Sequence, residues 1–234
     1  MNISHPNLGN YLVNGFDRVE GWCSPRLFPI VEFMNSLPIN RDGGACEIGV
    51  HHGKLYILLN QVIAAHEKSY AIDVFDHQHL NIDHSGDGNR TVFVENLIQY
   101  DVHKGRNTTI LPYDSTDPAV QLDRIITPGS IRFMSIDGGH TPEHTINDLN
   151  LASRIISNQG VVILDDILNH WWMGVIEGVC KFLLSTPTLV PFAVGDNKMY
   201  FAKLSYKDYY YSAFNNSPFR TKEITFFGHK ILSL

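Results

Sequence analysis

Cysteine is scarce in this sequence: Cys23, Cys46 and Cys180 are odd in number and far apart. No CxxC spacing occurs, so the three supply neither a zinc site nor a disulfide framework, and Cys46, in an apolar run, and Cys180, in a helical pattern, are expected as buried free thiols. No apolar run approaches the roughly 18 residues of a membrane-spanning helix. The opening Met1-Asn2-Ile3-Ser4-His5-Pro6 has neither the charged start nor the apolar stretch of a signal peptide. A protein of the reducing cytoplasm is expected. Positive charge is also short: 18 Lys and Arg stand against 24 Asp and Glu, a net charge of −6. No overall field attracts nucleic acid or an anionic membrane, and neither is expected as a partner. The dinucleotide fingerprint GxGxxG is missing, and no lysine-serine pair marks a P-loop. Repeats, low-complexity tracts and linkers are absent too. A chain of 234 residues, 44% hydrophobic and 18% charged, suits one large α/β domain over 1–234. Residues 1–25 then form an N-terminal extension, and 205–234 a tail available for self-association in a homo-oligomer.

Apolar spacing gives the element order. Leu27, Ile30, Val31, Phe33 and Met34 recur at helical spacing and stop at Pro38. After the polar Asn40-Arg41-Asp42-Gly43-Gly44, a buried strand Ala45-Cys46-Glu47-Ile48 runs into Gly49. Tyr56 to Ala65 reads as a helix and Ser69 to Val74 as a strand ending in acid. Residues 77 to 89 read as a polar loop and Thr91 to Tyr100 as a helix. Thr108 to Leu111 and Ile131 to Asp137 read as further strands. Thr141-Pro142-Glu143 opens the next helix with a capping hydroxyl, a proline at the first position and an acid near the dipole's positive end. That helix carries Ile146, Leu149, Ala152, Ile155 and Ile156 and stops before Gly160. Val161 to Leu164 is wholly apolar and ends in Asp165-Asp166. Two last strands, Leu189 to Val194 and Lys198 to Leu204, form a hairpin about Gly195-Asp196-Asn197. Glu223 to Leu234 reads as a further edge strand or a partner contact. Strands alternating with helices, several of them apolar throughout, make a doubly wound α/β fold with a mostly parallel sheet.

Three constellations carry chemistry. The first is the turn Glu47-Ile48-Gly49-Val50-His51-His52-Gly53, where glycines let the backbone turn tightly and approach a ligand. The second is Asp73, followed by Val74, at the end of the next strand, where a carboxylate can accept bonds from ribose hydroxyls. Asp114-Ser115, after the third strand, is the corresponding place for a base. The third is Asp137-Gly138-Gly139-His140 with Asp165-Asp166. If those two strands are neighbours, three carboxylates meet at the carboxyl edge of the sheet. Such carboxylates repel unless a cation binds them or some stay protonated. Oxygen ligands with open positions suit Mg²⁺, Mn²⁺ or Ca²⁺ better than zinc.

The acidic strand end followed by glycines four apart resembles the first motif of class I methyltransferases. Ser135-Ile136-Asp137-Gly138-Gly139-His140, Asp148-Leu149 and Gly160-Val161-Val162-Ile163-Leu164-Asp165-Asp166 together resemble the branch containing macrolide sugar O-methyltransferases. The resemblance spans roughly Leu27 to Leu204. It implies a seven-stranded sheet with a C-terminal antiparallel hairpin and S-adenosylmethionine as cofactor. Glu47, Gly49, Val50, His51, Gly53, Asp73, Val74, Asp114 and Ser115 fall at the cofactor positions. Asp137, Asp165 and Asp166 fall at the Mg²⁺ positions, and His140 at that of the base. The implied reaction is methyl transfer to a hydroxyl of a sugar-like small molecule. The rival readings are a metal-independent O- or N-methyltransferase of the same fold and a non-catalytic nucleoside-binding relative.

The other histidines receive less weight. His51 and His52 are expected to act through their backbones. His77, His79 and His84 share a loop with Asp76, Asp83 and Asp87, read as a mobile lid rather than a metal cluster. Trp171 or Trp172 is a candidate floor for an acceptor. The run Tyr209-Tyr210-Tyr211 is read as an interface or packing feature.

Overall fold

The computed structural model describes residues 3–39 and 42–234. Met1 and Asn2 of the N-terminus, and Asn40-Arg41 of the polar turn read before the first strand, lie outside the described residues.

The chain opens with α1 (Pro6–Asn14) and α2 (Leu27–Ser36), then alternates β1 (Gly44–Ile48), α3 (Lys54–Asn60), β2 (Ser69–Ile72), α4 (Arg90–Tyr100), β3 (Thr108–Leu111), the short α5 (Leu122–Ile125), β4 (Ile131–Ile136), α6 (Pro142–Ile155) and β5 (Ile156–Leu164). It continues through α7 (Met173–Leu184), the β6 (Leu189–Gly195) and β7 (Lys198–Lys203) hairpin, α8 (Leu204–Asn215), β8 (Lys222–Phe226) and β9 (His229–Ser233). The sheet order is β3-β2-β1-β4-β5-β7-β6-β9-β8. β3 through β5 are mutually parallel, and β7 runs antiparallel to both β5 and β6.

Side chains alternate across this sheet as a doubly covered strand requires. Phe133, Val161 and Ile163 pack with α1, α2 and α3, whereas Met134, Val162 and Leu164 pack with α6 and α7. Two apolar cores result, one on each face.

Several expectations change. The sheet has nine strands rather than seven, because the tail folds back: Phe227 and Gly228 turn at positive φ (47° and 80°), and β9 pairs parallel with β6. The tyrosine run lies on α8, where Tyr210 is buried, so part of the presumed tail belongs to the core. Within the stretch read as an N-terminal extension, Leu8, Tyr11, Phe16 and Val19 are buried in the first core. Ile156 leaves helix α6 and opens β5, opposite Ile131. Helix α3 ends at Asn60, whose buried amide is bonded to Asp101, Asn107 and Ser69. The hairpin turn is the two-residue Asp196-Asn197, both at positive φ (52° and 64°), the form that matches strand twist.

What positions the candidate site is the register. Ile72, Ile48, Ile136 and Leu164 stand in one row across β2, β1, β4 and β5. The next row is therefore Asp73, Gly49, Asp137 and Asp165, and the backbone ladder reaches it: Gly49 N–H donates to Ile72, Asp137 N–H to Ile48 and Asp165 N–H to Ile136, at 2.8–2.9 Å. Leu164 pairs with Met199 of antiparallel β7, which sets Lys198 opposite Asp165. Gly49 is required at this crowded row. A Cβ there would lie 1.8 Å from the Asp137 carbonyl oxygen, at a φ of +80° that L side chains rarely adopt.

Candidate active site

Beyond this row lies a cavity of about 600 Å³, the size expected for a small-molecule or cofactor site. Of the residues read from sequence, Gly49, His51, Asp73, Val74, Asp114, Ser115, Asp137, His140, Asp165 and Asp166 line it. Glu47, Val50 and Gly53 are not in its wall. Glu47 precedes the strand tip, so its side chain enters the sheet face instead of crossing the edge; it is 2% exposed, and burial pushes its carboxyl well up. Val50 contributes a backbone N–H, and Gly53 starts α3 against the ring of Phe93.

At the β1–β2 end, backbone amides hold the acid. Asp73 Oδ2 accepts from Val50 N–H and His51 N–H, both at 2.7 Å, and Oδ1 from Phe75 N–H at 2.6 Å. Burial raises the Asp73 pKa, and these three bonds oppose the rise. The N–H of His51 is one of these donors, and its ring packs against Trp22, with centroids 5.4 Å apart. Asp114 caps its own loop, accepting from Thr116 N–H at 2.8 Å, and Ser115 offers its carbonyl to Asn147.

At the β4–β5–β7 end, side chains hold the acids. Lys198, 2% exposed, is ion-paired with Asp165. Burial alone would lower the Lys198 pKa, but Asp165 outweighs it and raises the ammonium. Asp166 Oδ1 accepts from Asn169 at 2.9 Å and Asn197 at 2.7 Å, and its Oδ2 lies 2.9 Å from His140 Nε2. The other ring nitrogen, Nδ1, lies 2.8 Å from Asp83 Oδ2. A ring between two carboxylates carries both protons. Burial pushes the His140 pKa down, yet the bonds to Asp166 and Asp83 hold it up at about 9. Asp137 has the least company, with His140 Nε2 at 3.9 Å. Burial, then the charges of Asp165 and Asp166, push its carboxyl up to about 8.

Among the described residues, the group whose ligand atoms could share one metal ion is Asp137, His140 and Asp166, all within 4.8 Å. Asp165 is not in that group and is ion-paired with Lys198. His77, His79 and His84 form no such group. Of the two tryptophans, Trp172 faces the cavity and stacks on His140 (centroids 4.4 Å, 17° between planes), whereas Trp171 is 77% exposed.

The sequence reading gave Asp83 no role in the site and missed Lys198 and Trp22. A lone lysine heading the apolar run Met199-Tyr200-Phe201-Ala202 was a usable signal for a buried cation. Nothing local distinguished Asp83 from the other acids of its loop.

A doubly wound sheet with a glycine turn, an acid on the next strand and an acidic edge beside one cavity defines the class I methyltransferase type of fold. A family model described as a methyltransferase domain matches residues 46–167, more than half of the chain, and the chain belongs to that family. Among solved structures it is similar to the O-methyltransferase NovP, at 17% identity and a TM-score of 0.57, covering 76% of this chain and 79% of that one. It is also similar to CalS11, described as a TDP-rhamnose 3'-O-methyltransferase, at 15% identity and a TM-score of 0.52, covering 85% and 88%. A curated relative, "Uncharacterized protein R132" of Acanthamoeba polyphaga mimivirus, is 28% identical over 78 residues, 33% of this chain. The match spans about a third (35%) of that relative's length. No described helix is long and apolar enough to cross a membrane.

Proposed function

We propose that the chain is an S-adenosylmethionine-dependent O-methyltransferase that methylates a hydroxyl of a sugar or glycosylated small molecule, assisted by a divalent cation. One observation carries this reading: Asp137, His140 and Asp166 converge within 4.8 Å on the same cavity that the Gly49 turn and Asp73 enter from the other end.

S-adenosylmethionine supplies an activated methyl group on a sulfonium. The Gly49 turn and the carboxylate of Asp73, which the N–H groups of Val50 and His51 hold in place, would receive its ribose side, with Val74 beside it, and Asp114-Ser115 would flank the base. Glu47 and Gly53 support that turn from behind. The donor set at the other end fits a hard cation, since carboxylate oxygens dominate it. Asp137 and Asp166 would hold the ion, and Asp165 is kept in place by Lys198. Such a cation lowers the pKa of a bound hydroxyl and orients it. With Asp166 turned to the cation, His140 would first give its Nε2 proton to solvent, and the neutral ring would then accept the hydroxyl proton at Nε2 while Nδ1–H stays bonded to Asp83. Trp172 backs the ring.

The wall also narrows the acceptor. Seven aspartates (73, 83, 114, 137, 165, 166 and 196) face Lys198 alone among lysines, and no arginine among the described residues lines the cavity. Lys198 and His140 are already paired with carboxylates, so a phosphate would meet an acidic wall and an uncharged glycoside suits the cavity better than a nucleotide-linked sugar.

Methylation assays with and without chelator test the cation, and Asp166→Ala should remove the metal response along with most activity. Undiminished turnover in chelator would leave the second reading, transfer without metal, which the Lys198 ammonium beside Asp165 favours. No methylated product from any polyol acceptor would defeat both.

A further inference from the structure

The loop over residues 76–89 is built as a unit. Gln78 Nε2 donates to the Phe75 carbonyl at 2.6 Å, and Asn81 Nδ2 donates to Gln78 Oε1 at 3.0 Å and to the Gly86 carbonyl at 2.9 Å. Its Leu80, Ile82 and Asp83 form part of the cavity wall. Among the described residues, the hydrogen bonds that tie this loop across the cavity are both made by one oxygen. Asp83 Oδ2 accepts from the backbone N–H and from Nδ1 of His140, each at 2.8 Å, while its Oδ1 accepts from Ser85 N–H at 3.1 Å. These side chains are secluded, at 12% exposure for Asp83 and 7% for His140.

We propose that Asp83 is a latch: it closes the 76–89 loop over the acceptor end of the cavity and fixes the ring of His140 in its working orientation. This rests on the functional reading above for what the cavity holds. His140 is bounded by Asp83 at Nδ1, Asp166 at Nε2 and Trp172 on its face. Asp166 and Trp172 lie in the short 165–172 connection, which Asn197 pins through Ile167 N–H, Leu168 N–H and Asp166 Oδ1, whereas Asp83 sits in the longer 73–89 connection, so it is the contact that can be broken and remade. With the loop open, Nδ1 has no carboxylate partner and the ring can rotate about its side-chain bonds. With the loop shut, Nδ1 is bound and Nε2 faces the acidic cluster. Closure over the acceptor would thus exclude water and set the proton-accepting atom in one motion. Asp83 acts through His140 and is a positioning residue.

Hydrogen exchange on the full chain, saturated with S-adenosylhomocysteine, tests this without knowledge of the acceptor. Asp83→Ala and His140→Ala should each speed exchange of the 78–88 amides about tenfold or more. The double variant should be no faster than Asp83→Ala, because the ring bond lost in His140→Ala is one of the two contacts that Asp83→Ala removes. The slowly exchanging Nδ1 proton of His140, read by NMR, should vanish in Asp83→Ala and persist in Asp83→Asn, whose amide oxygen can still accept it. Unchanged loop exchange in Asp83→Ala, additive effects in the double variant, or an unaltered ring signal would each overturn the latch. Failure of the parent protein to bind S-adenosylhomocysteine in calorimetry would instead count against the functional reading, and the same exchange comparison without ligand would still decide the latch.

Discussion

The two ends of the cavity solve the same electrostatic problem differently. At the β1–β2 end, Asp73 is satisfied by three backbone amides, two of them from the turn that follows β1. At the β4–β5–β7 end, Asp165 and Asp166 are satisfied by side chains of Lys198, Asn197 and His140. The first end is a rigid cradle made by glycine geometry. The second is a charge network assembled from distant segments. A site that must hold one constant nucleoside and release varied chemistry beside it gains from that division.

The largest expected effect strikes the second end. Lys198→Met would leave Asp165 buried without its cation, a loss of about 3–5 kcal/mol. Adding Asp165→Asn should recover much of this, and thermal denaturation of the two variants measures the coupling. If Lys198→Met alone is benign, the network is not closed in the way described. The counterpart at the cradle is Gly49→Ala, expected to cost about 3 kcal/mol through backbone strain and the clash with the Asp137 carbonyl. For a chain of this size that lowers the melting temperature by roughly 6–12 °C.

A third difference concerns pH. Asp148 of α6, 1% exposed, lies beneath the Asp137–His140 loop with Oδ2 unpartnered, and burial pushes its carboxyl from 3.8 to about 7. A carboxyl raised in the fold contributes stability below its ordinary pKa and loses it as pH climbs through the folded value. Asp148→Asn should therefore match the parent near pH 4 and exceed it by about 2 kcal/mol at pH 8. Melting curves across that range check the sign; a gap that narrows with rising pH would refute it. Smaller again is Asp73→Asn. Retaining shape while losing charge, it should weaken S-adenosylhomocysteine about tenfold in calorimetry, roughly 1.4 kcal/mol, with little change in metal response.

The same contrast explains what could be read from sequence. The parallel sheet, the glycine turn, the acids at strand ends and the β6–β7 hairpin were legible because each depends on neighbours in the chain or on a period of two. Whether β4 and β5 are adjacent was left open by the sequence, and the parallel pairing of Ile136 with Leu164 meets that condition. The partners of those acids were not legible. Lys198 meets Asp165 only through antiparallel register between β5 and β7, and Asp83 meets His140 only because a polar loop folds over the cavity. Local patterns likewise gave no warning that the N-terminal helix and α8 would complete the first core, since Tyr11 and Tyr210 are buried by contacts remote in sequence.

Helix α6 offers the finest test of this division, because its start is a local signal inside the network end. Thr141 Oγ1 accepts from His144 N–H at 3.2 Å, and Pro142 takes the first helical position, as the residues alone indicate. Loss of such a cap costs about 1 kcal/mol, so Thr141→Ala should lower the melting temperature by roughly 2–4 °C. Thr141→Asp should hold it near the parent, because a carboxylate caps as well as a hydroxyl and meets the helix dipole favourably. A drop in Thr141→Ala of three times that size would mean that the cap also supports the adjacent His140 and its carboxylates. The network end would then depend on local sequence as closely as the cradle does, and the contrast between them would shrink to the identity of their hydrogen-bond donors.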